Sequence, residues 1–443
     1  MEGGRSLRKQ RTRRCADGPS VALWGQTPKG HSPPLRCLCG SVYLAPMPGE
    51  RSYDPYSREM QEDPFPAYRW FRDHQPCAYN ARMKFYALFR FDDVWNATLD
   101  WKTFSSRLGP TLENQGQIPG EFFSIIGMDP PRHTRIRNIV SRGFTPRRIA
   151  ALEPSIRTIA RGYLEKLESQ RAFDIQREFS VKFPMDVISV FLGFPPERRD
   201  EFRLLVDQSL ARDPDTNMPP PSGIEAIQRS QTMIRELLAD RRKRPQDDLL
   251  SLMAEAHYDD VDGETRALTD DEIGAFCNLL GAAGAETTAK LIGNLVVYLW
   301  QNPEQRALIQ RDRSLIPAAI EEALRFDAPS QFQGRVAQVD STWYGVTIPA
   351  GARVALVTGA AGRDEREYAE PDRFDLTRPH DREIYFGHGQ HVCIGKSLAR
   401  LEARVALEEI GARFPKYEVD TAGLTRTYQA HVRGFANVPV RLS

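Results

Sequence analysis

From about residue 50 onward, apolar positions recur mostly with a helical period. The run from Pro64 to Phe71 opens a first helix, Phe85 to Phe89 predicts a short strand, and Asp92-Asp93-Val94 starts another helix. The best helix runs from Asp270 to Gln301. Thr269 and Glu272 form a capping-box pattern at its start, and Asn302-Pro303 ends it. At roughly 1.5 Å per residue it would be about 48 Å long, enough to cross the whole molecule. Residues 103–127, with several Gly and Pro, predict a long loop, and such loops in compact domains are usually functional. Prolines at 195–196 and 219–221 predict a break between helices over 196–224. Alternating β-branched residues and glycines predict short hairpins over 335–357, and the stretch from Thr425 to Leu442 reads the same way. There are no internal repeats.

Residues 1–46 follow no such period. Arg5, Arg8, Lys9, Arg11, Arg13 and Arg14 crowd the start, and Gly, Pro and Ser are frequent, which predicts a disordered extension. It reads as a basic docking tail, a targeting peptide, or a non-native start upstream of Met47. The 443 residues are 41% hydrophobic and 27% charged, the composition of a globular chain long enough to enclose a cofactor. A net charge of +1 gives no global argument for nucleic acid. The six cysteines are scattered without a disulfide framework, and Cys37-Leu38-Cys39 lacks the spacing of a zinc site. No segment approaches the roughly 20 apolar residues of a membrane span. A cytoplasmic protein is expected.

Two stretches carry chemistry. In Phe386-Gly387-His388-Gly389-Gln390-His391-Val392-Cys393-Ile394-Gly395, one cysteine sits in a glycine-hinged loop before a helix-like segment that begins at Lys396. Glycines let N–H groups face the sulfur, and the positive end of a following helix favours the thiolate, the species that binds metal. In the middle of the long helix, Ala283-Gly284-Ala285-Glu286-Thr287-Thr288 is made mostly of small residues, and its glycine and two adjacent threonines do little for simple helix stability. Small residues admit another body, and a mid-helix threonine bonds back to a carbonyl one turn earlier. That predicts a notch with a carboxylate and a hydroxyl beside it. The other reading is a helix-packing face of small residues.

The run Phe-x-x-Gly-x-His-x-Cys-x-Gly resembles the haem-binding loop of the cytochrome P-450 superfamily, soluble bacterial type, and the resemblance extends from Tyr53-Asp54-Pro55 to the C-terminus. It implies a mainly α fold with a minor β-rich part: a triangular helical domain with a long central helix and small sheets, here one domain over 47–443 after the extension 1–46. It implies haem b (iron protoporphyrin IX), with Cys393 as the axial ligand of the iron. Gly284, Phe386 and Gly395 would also be cofactor-binding, and His133, Arg137, Arg335 and His391 match the family's propionate-binding positions. His133 and Arg137 sit four residues apart on one helix face, opened by Pro131. Thr287 would hold dioxygen and water, and Glu286 would relay protons. Glu322 and Arg325 match a structural Glu-x-x-Arg pair, linked in the family to Arg373. Gly362 stands where related sequences often have Asn, a structural variation.

The implied activity is a monooxygenase that inserts one oxygen atom from O2 into a C–H bond of a lipophilic small molecule. Ferredoxin and ferredoxin reductase would donate the electrons, with Arg137, Lys396 and Arg400 as a docking patch. By correspondence with the family, the substrate pocket would be lined by Phe122, Phe123, Leu279, Ala282, Ala283, Gln331, Phe332 and Gln333, the two glutamines hinting at one polar anchor. Fatty acyl, terpenoid, steroid and aromatic substrates all fit. The alternatives are a peroxide-driven peroxygenase, which the Glu286–Thr287 pair argues against, and a non-catalytic haem-based ligand sensor or carrier.

Overall fold

The computed structural model describes residues 51–112, 124–211, 220–260 and 262–442. The extension 1–46, Phe122 and Phe123 lie outside them. At the centre runs the predicted long helix, in three parts: α-helical Asp270–Leu279, a π-helical turn Leu280–Ala285, and α-helical Glu286–Gln301. Its capping box is complete. Thr269 Oγ1 accepts the Glu272 N–H at 3.2 Å, and the Glu272 carboxylate accepts the Thr269 N–H at 2.9 Å. Asp270, Asp271 and Glu272 add negative charge in the first turn, which the helix dipole favours. Pro303 opens the next helix, so this one ends at Asn302.

Every residue from Thr288 to Leu299 is buried, so this half of the helix is core on all sides. Leu291, Leu295 and Leu299 pack with Ala323 and Leu324 of the helix Ile316–Phe326 and with Ala403 and Leu407 of the helix Lys396–Arg413. Each buried leucine contributes about 1.5–3 kcal/mol. The helix of the Glu-x-x-Arg pair and the helix that follows Cys393 are thereby fixed against the central one.

Beside the helices stands a five-stranded sheet ordered Cys77–Asn80, Phe85–Leu88, Arg353–Leu356, Gln333–Ala337, Phe104–Ser105. Its pairs are antiparallel except the second, Phe85–Leu88 with Arg353–Leu356, which is parallel. The central strand Arg353–Leu356 is buried at every residue, and it pairs Val354 with Arg335. A short C-terminal hairpin joins Thr425–Arg426 to Phe435–Asn437. Among the described residues no helix is long and apolar enough to cross a membrane.

Within the predicted break over 196–224 the described residues are mostly helical, in Pro196–Leu210 and the start of Pro221–Lys243, while 212–219 lie outside the described residues. Each helix begins on a proline, and at the first helical position the missing N–H costs nothing. The same residues that signalled a break are therefore helix starts. Within 103–127, Phe104–Ser105 is a strand and Ile125–Gly127 a 3-10 turn.

Candidate haem site

The loop around Cys393 is a set of tight turns. Gly387 and Gly389 adopt φ of 70° and 67°, which side chains with a Cβ avoid. The Cys393 N–H donates to the Phe386 carbonyl at 2.7 Å, and Gly395 caps the helix Lys396–Arg413. His388 in the same loop stacks on Trp95, ring centroids 3.5 Å apart. The thiol is accessible, yet protein surrounds it: it lines an internal recess. Burial raises its pKa, against the opposing pull of the Gly395 N–H and of Arg137, Lys396 and Arg400. A thiol held protonated only by desolvation releases its proton once a metal cation supplies the missing charge.

Around the recess lies a group of donors without acceptors. His133 is 1% exposed, and neither of its ring nitrogens has a partner. His391 lies against it, centroids 4.2 Å apart and planes tilted by 45°, with its Nε2 unpartnered. Burial, then nearby cations, lowers the pKa of His133 to about 4 and that of His391 to about 2. Arg335 is 5% exposed, and among the described residues its side chain bonds only the adjacent Gly334 carbonyl, at 2.8 Å; burial lowers its pKa to about 10. Native proteins rarely leave so many buried donors unmet. Two carboxylates would satisfy all three residues, so an accessible cysteine beside these donors fits a propionate-bearing iron porphyrin. Arg137 is placed differently: its guanidinium donates to the Val392 carbonyl at 2.5 Å and so braces the cysteine loop.

On the central helix, Leu279, Ala282, Ala283, Gly284, Glu286 and Thr287 keep accessible surface while Leu280, Gly281, Ala285 and Thr288 are buried. Leu279, Ala282 and Ile394, the residue after Cys393, pack against one hydrophobic cluster. In the π-helical turn the hydroxyls of Thr287 and Thr288 donate to the carbonyls of Ala283 and Gly284, at 2.6 and 2.9 Å. The helix is widened here, with accessible residues beside the turn, which is consistent with the expected notch.

Three expectations need correction. Gln331 and Phe332 belong to the core, 3% and 1% exposed. The Gln331 amide is used at both ends, donating to the Ala328 carbonyl at 2.7 Å and accepting the Tyr68 hydroxyl at 3.0 Å, so it offers no polar anchor. Half-buried Gln333 donates to Ser330 Oγ at 2.7 Å. Arg373 meets Arg325 only through its backbone carbonyl, at 3.2 Å, while its guanidinium is 58% exposed beside Glu370. Glu322 and Arg325 are fully buried and joined by two hydrogen bonds, at 2.7 and 2.8 Å; Glu322 also accepts from the Asp375 N–H and from Arg378. Arg378, 8% exposed, was missed: nothing in its sequence surroundings separates it from Arg373. Gly362 explains its departure from Asn. Its carbonyl accepts from Arg325 at 2.9 Å, and a Cβ there would come 2.5 Å from the Arg325 carbonyl oxygen. The expected docking patch is mostly neutralised as well, since Arg400 is paired with Glu321 and Glu383, and Arg137 holds Val392.

A helical fold enclosing an accessible cysteine, a notched helix and a cradle of carboxylate-seeking donors defines a haem-thiolate protein. The cytochrome P450 family model matches residues 224–422. A vitamin D(3) 25-hydroxylase from Pseudonocardia autotrophica is 38% identical over 405 residues, 89% of this chain and 97% of the relative. Cytochrome P450 CYP109Q5 from Chondromyces apiculatus superposes with a TM-score of 0.80 at 34% identity, covering 88% of this chain and 98% of the other. CYP109E1 from Bacillus megaterium, solved in complex with corticosterone, superposes with a TM-score of 0.78 at 29% identity, covering 87% and 100%. The chain belongs to the cytochrome P450 family, and it is an oxidoreductase with the monooxygenase chemistry of bacterial members.

Proposed function

We propose that residues 47–443 form one haem b domain, that 1–46 is a separate extension, and that the domain hydroxylates a lipophilic small molecule with electrons from a ferredoxin and its reductase. The observation that carries the reading is the pair of buried imidazoles with unpartnered nitrogens, His133 and His391, together with the buried Arg335 and the accessible Cys393. These residues would hold the propionates and the iron, with Gly284, Phe386 and Gly395 alongside. Bound there, haem supplies dioxygen activation, which a thiolate ligand assists by favouring O–O cleavage.

The chain's own part is proton control and a dry pocket. Thr287 already spends its hydroxyl proton on Ala283, which leaves oxygen lone pairs to accept a hydrogen bond from water. Glu286, next to it on the accessible face, takes protons from solvent and passes them to that water. Leu279, Ala282 and Ala283 offer a small, apolar surface for substrate. Relatives that act on vitamin D(3) or bind corticosterone make steroid-like molecules the first class to screen. Exposed Arg147, on the helix Pro146–Ala151 that packs against the helix Lys396–Arg413, joins Lys396 as a cation that would attract an acidic ferredoxin.

The test is a spectrum of the reduced, carbon monoxide-bound protein. A thiolate-ligated haem gives a strongly red-shifted Soret band; haem-loaded protein without that band would overturn the reading. Turnover with peroxide and none with a reduced ferredoxin would favour a peroxygenase.

A further inference from the structure

Arg400 lies in the second turn of the helix Lys396–Arg413, and its side chain folds back onto the cysteine loop. Its guanidinium carbon stands over the Phe386 ring, 4.8 Å from the ring centroid. Phe386 is the residue whose carbonyl accepts the Cys393 N–H at 2.7 Å, so the two ends of the loop close at this point. Two carboxylates fix the cation there. Glu321 accepts from its Nε and Nη2 at 2.6 and 2.8 Å, and Glu383 accepts from Nη2 at 2.8 Å. Glu321 also accepts the hydroxyl of Tyr385, the neighbour of Phe386, at 2.7 Å.

An isolated surface pair would contribute little, because holding two long side chains together costs entropy. Here three elements meet at one guanidinium: the helix after Cys393, the helix Ile316–Phe326 through Glu321, and the approach to the loop through Glu383. The planar fork suits this task, since it takes a carboxylate by two parallel bonds and lies flat on an aromatic face. The partners are themselves anchored. Tyr385 is buried in the cluster of Leu291 and Leu295 of the central helix, and half-buried Phe386 packs against that cluster. The cation also acts on the sulfur: with the Gly395 N–H, Arg137 and Lys396 it favours the thiolate against burial.

We propose that Arg400 is a positioning residue for the cysteine ligand: braced by Glu321 and Glu383, it pins Phe386, and through the Phe386 carbonyl it fixes the Cys393 backbone so that the sulfur stays on the iron. The proposal rests on Cys393 being the haem ligand. It gives Arg400 a task other than docking a ferredoxin, for which its two carboxylate partners leave it little free charge. Without the guanidinium the Phe386 ring is released, and Glu321 and Glu383 stand uncompensated beside the loop. More negative surroundings make an electron harder to add, so the reduction potential of the haem should fall.

Two measurements on the haem-loaded protein test this without turnover: the decay of the red-shifted band of the reduced, carbon monoxide-bound form in mild urea, and the reduction potential. In Arg400→Ala the band should decay about 10-fold faster or more, as the loss of hydrogen bonds between charged groups implies, and the potential should lie below the parent's. Arg400→Lys keeps the charge and loses the fork, so its potential should stay near the parent's while its band decays at an intermediate rate. Parental decay and potential in Arg400→Ala overturn the proposal, whether its melting temperature falls or its KM for reduced ferredoxin rises. If that variant binds no haem, Glu383→Gln decides: faster decay supports the brace, and unchanged decay overturns it. A haem-loaded parent without the red-shifted band removes the haem-thiolate reading, and this proposal with it.

Discussion

Thr287 turns its hydroxyl back onto the carbonyl of Ala283, 2.6 Å away, inside a π-helical turn of an otherwise regular helix. The bond holds the threonine side chain in one orientation at the point where the helix keeps accessible surface. The same back-bond occurs in the regular helix Phe91–Leu99, from Thr98 to the Val94 carbonyl, so what sets Thr287 apart is the widened turn that precedes it.

Thr287→Ala should uncouple the enzyme. Reductant consumption continues, while product per reductant falls roughly 10-fold or more, the loss of a proton-transfer group being typically worth about 10²–10⁴-fold. Thr287→Ser keeps the hydroxyl and should retain most of the coupling. Loss of one hydrogen bond changes stability by only about 1 kcal/mol, so the melting temperature serves as a control. Product and reductant measured together decide the matter; unchanged coupling in the alanine variant rejects the assigned role.

Arg373 and Arg378 should respond in opposite ways to substitution. Arg373 contributes a carbonyl that alanine also has, and its guanidinium is exposed, so Arg373→Ala should change stability by no more than about 0.5 kcal/mol. Arg378 approaches fully buried Glu322 at 3.4 Å and also bonds the carbonyls of Glu370 and Arg373. Arg378→Ala should lower the melting temperature and the haem content clearly. Glu322→Ala is expected to be worse, at about 3–5 kcal/mol, because it strands the buried Arg325. Thermal unfolding of the three variants, with haem content, checks the order.

The unmet donors predict a trade between folding and cofactor binding. Replacing a buried, unpartnered polar group by an apolar one of similar shape is neutral or stabilising. His133→Phe and Arg335→Met should therefore hold or raise the melting temperature of the haem-free protein. The same variants should release haem faster to a scavenger protein, because propionate partners are gone. A haem-free protein that loses stability, with haem release unchanged, would show that these residues serve the fold alone.

Local chemistry made the central features legible. The capping box at Thr269 and the stop at Pro303 fix the ends of the long helix from side chains alone, and the cysteine loop is spelled out by glycines at the turns. The π-helical turn was only half visible, because a helix with one extra residue in a turn keeps nearly the same apolar period. Arg373 and Arg378 look alike in sequence, and only the position of the Glu322 oxygens separates them. Gln331 and Phe332 carry no mark of burial. Gly359 makes room for the Gln331 amide, since a Cβ there would come 2.4 Å from its oxygen, and that meeting is set by tertiary packing.

Acid stability should depend on Glu409. Its side chain is 5% exposed and accepts from Arg157 at 2.8 Å, from Arg161 at 3.2 Å and from Arg413. Burial pushes its pKa up, but the bonds from Arg161, Arg157 and Arg413 outweigh it and bring the value from 4.5 to about 2. The folded state therefore binds its proton later than the unfolded state does. The stabilisation is present above pH 4.5 and is lost as pH falls towards about 2, where the folded carboxylate takes its proton. Glu409→Gln removes this dependence: the variant should be less stable at neutral pH, and its urea midpoint should change less steeply between about pH 4.5 and 2. Glu153, bonded by Arg404 and Arg157, is also held below its ordinary range but is more exposed, so solvent screens its share. Urea unfolding at half-unit pH steps measures the difference; parallel acid limbs for the variant and the parent would remove Glu409 as the cause.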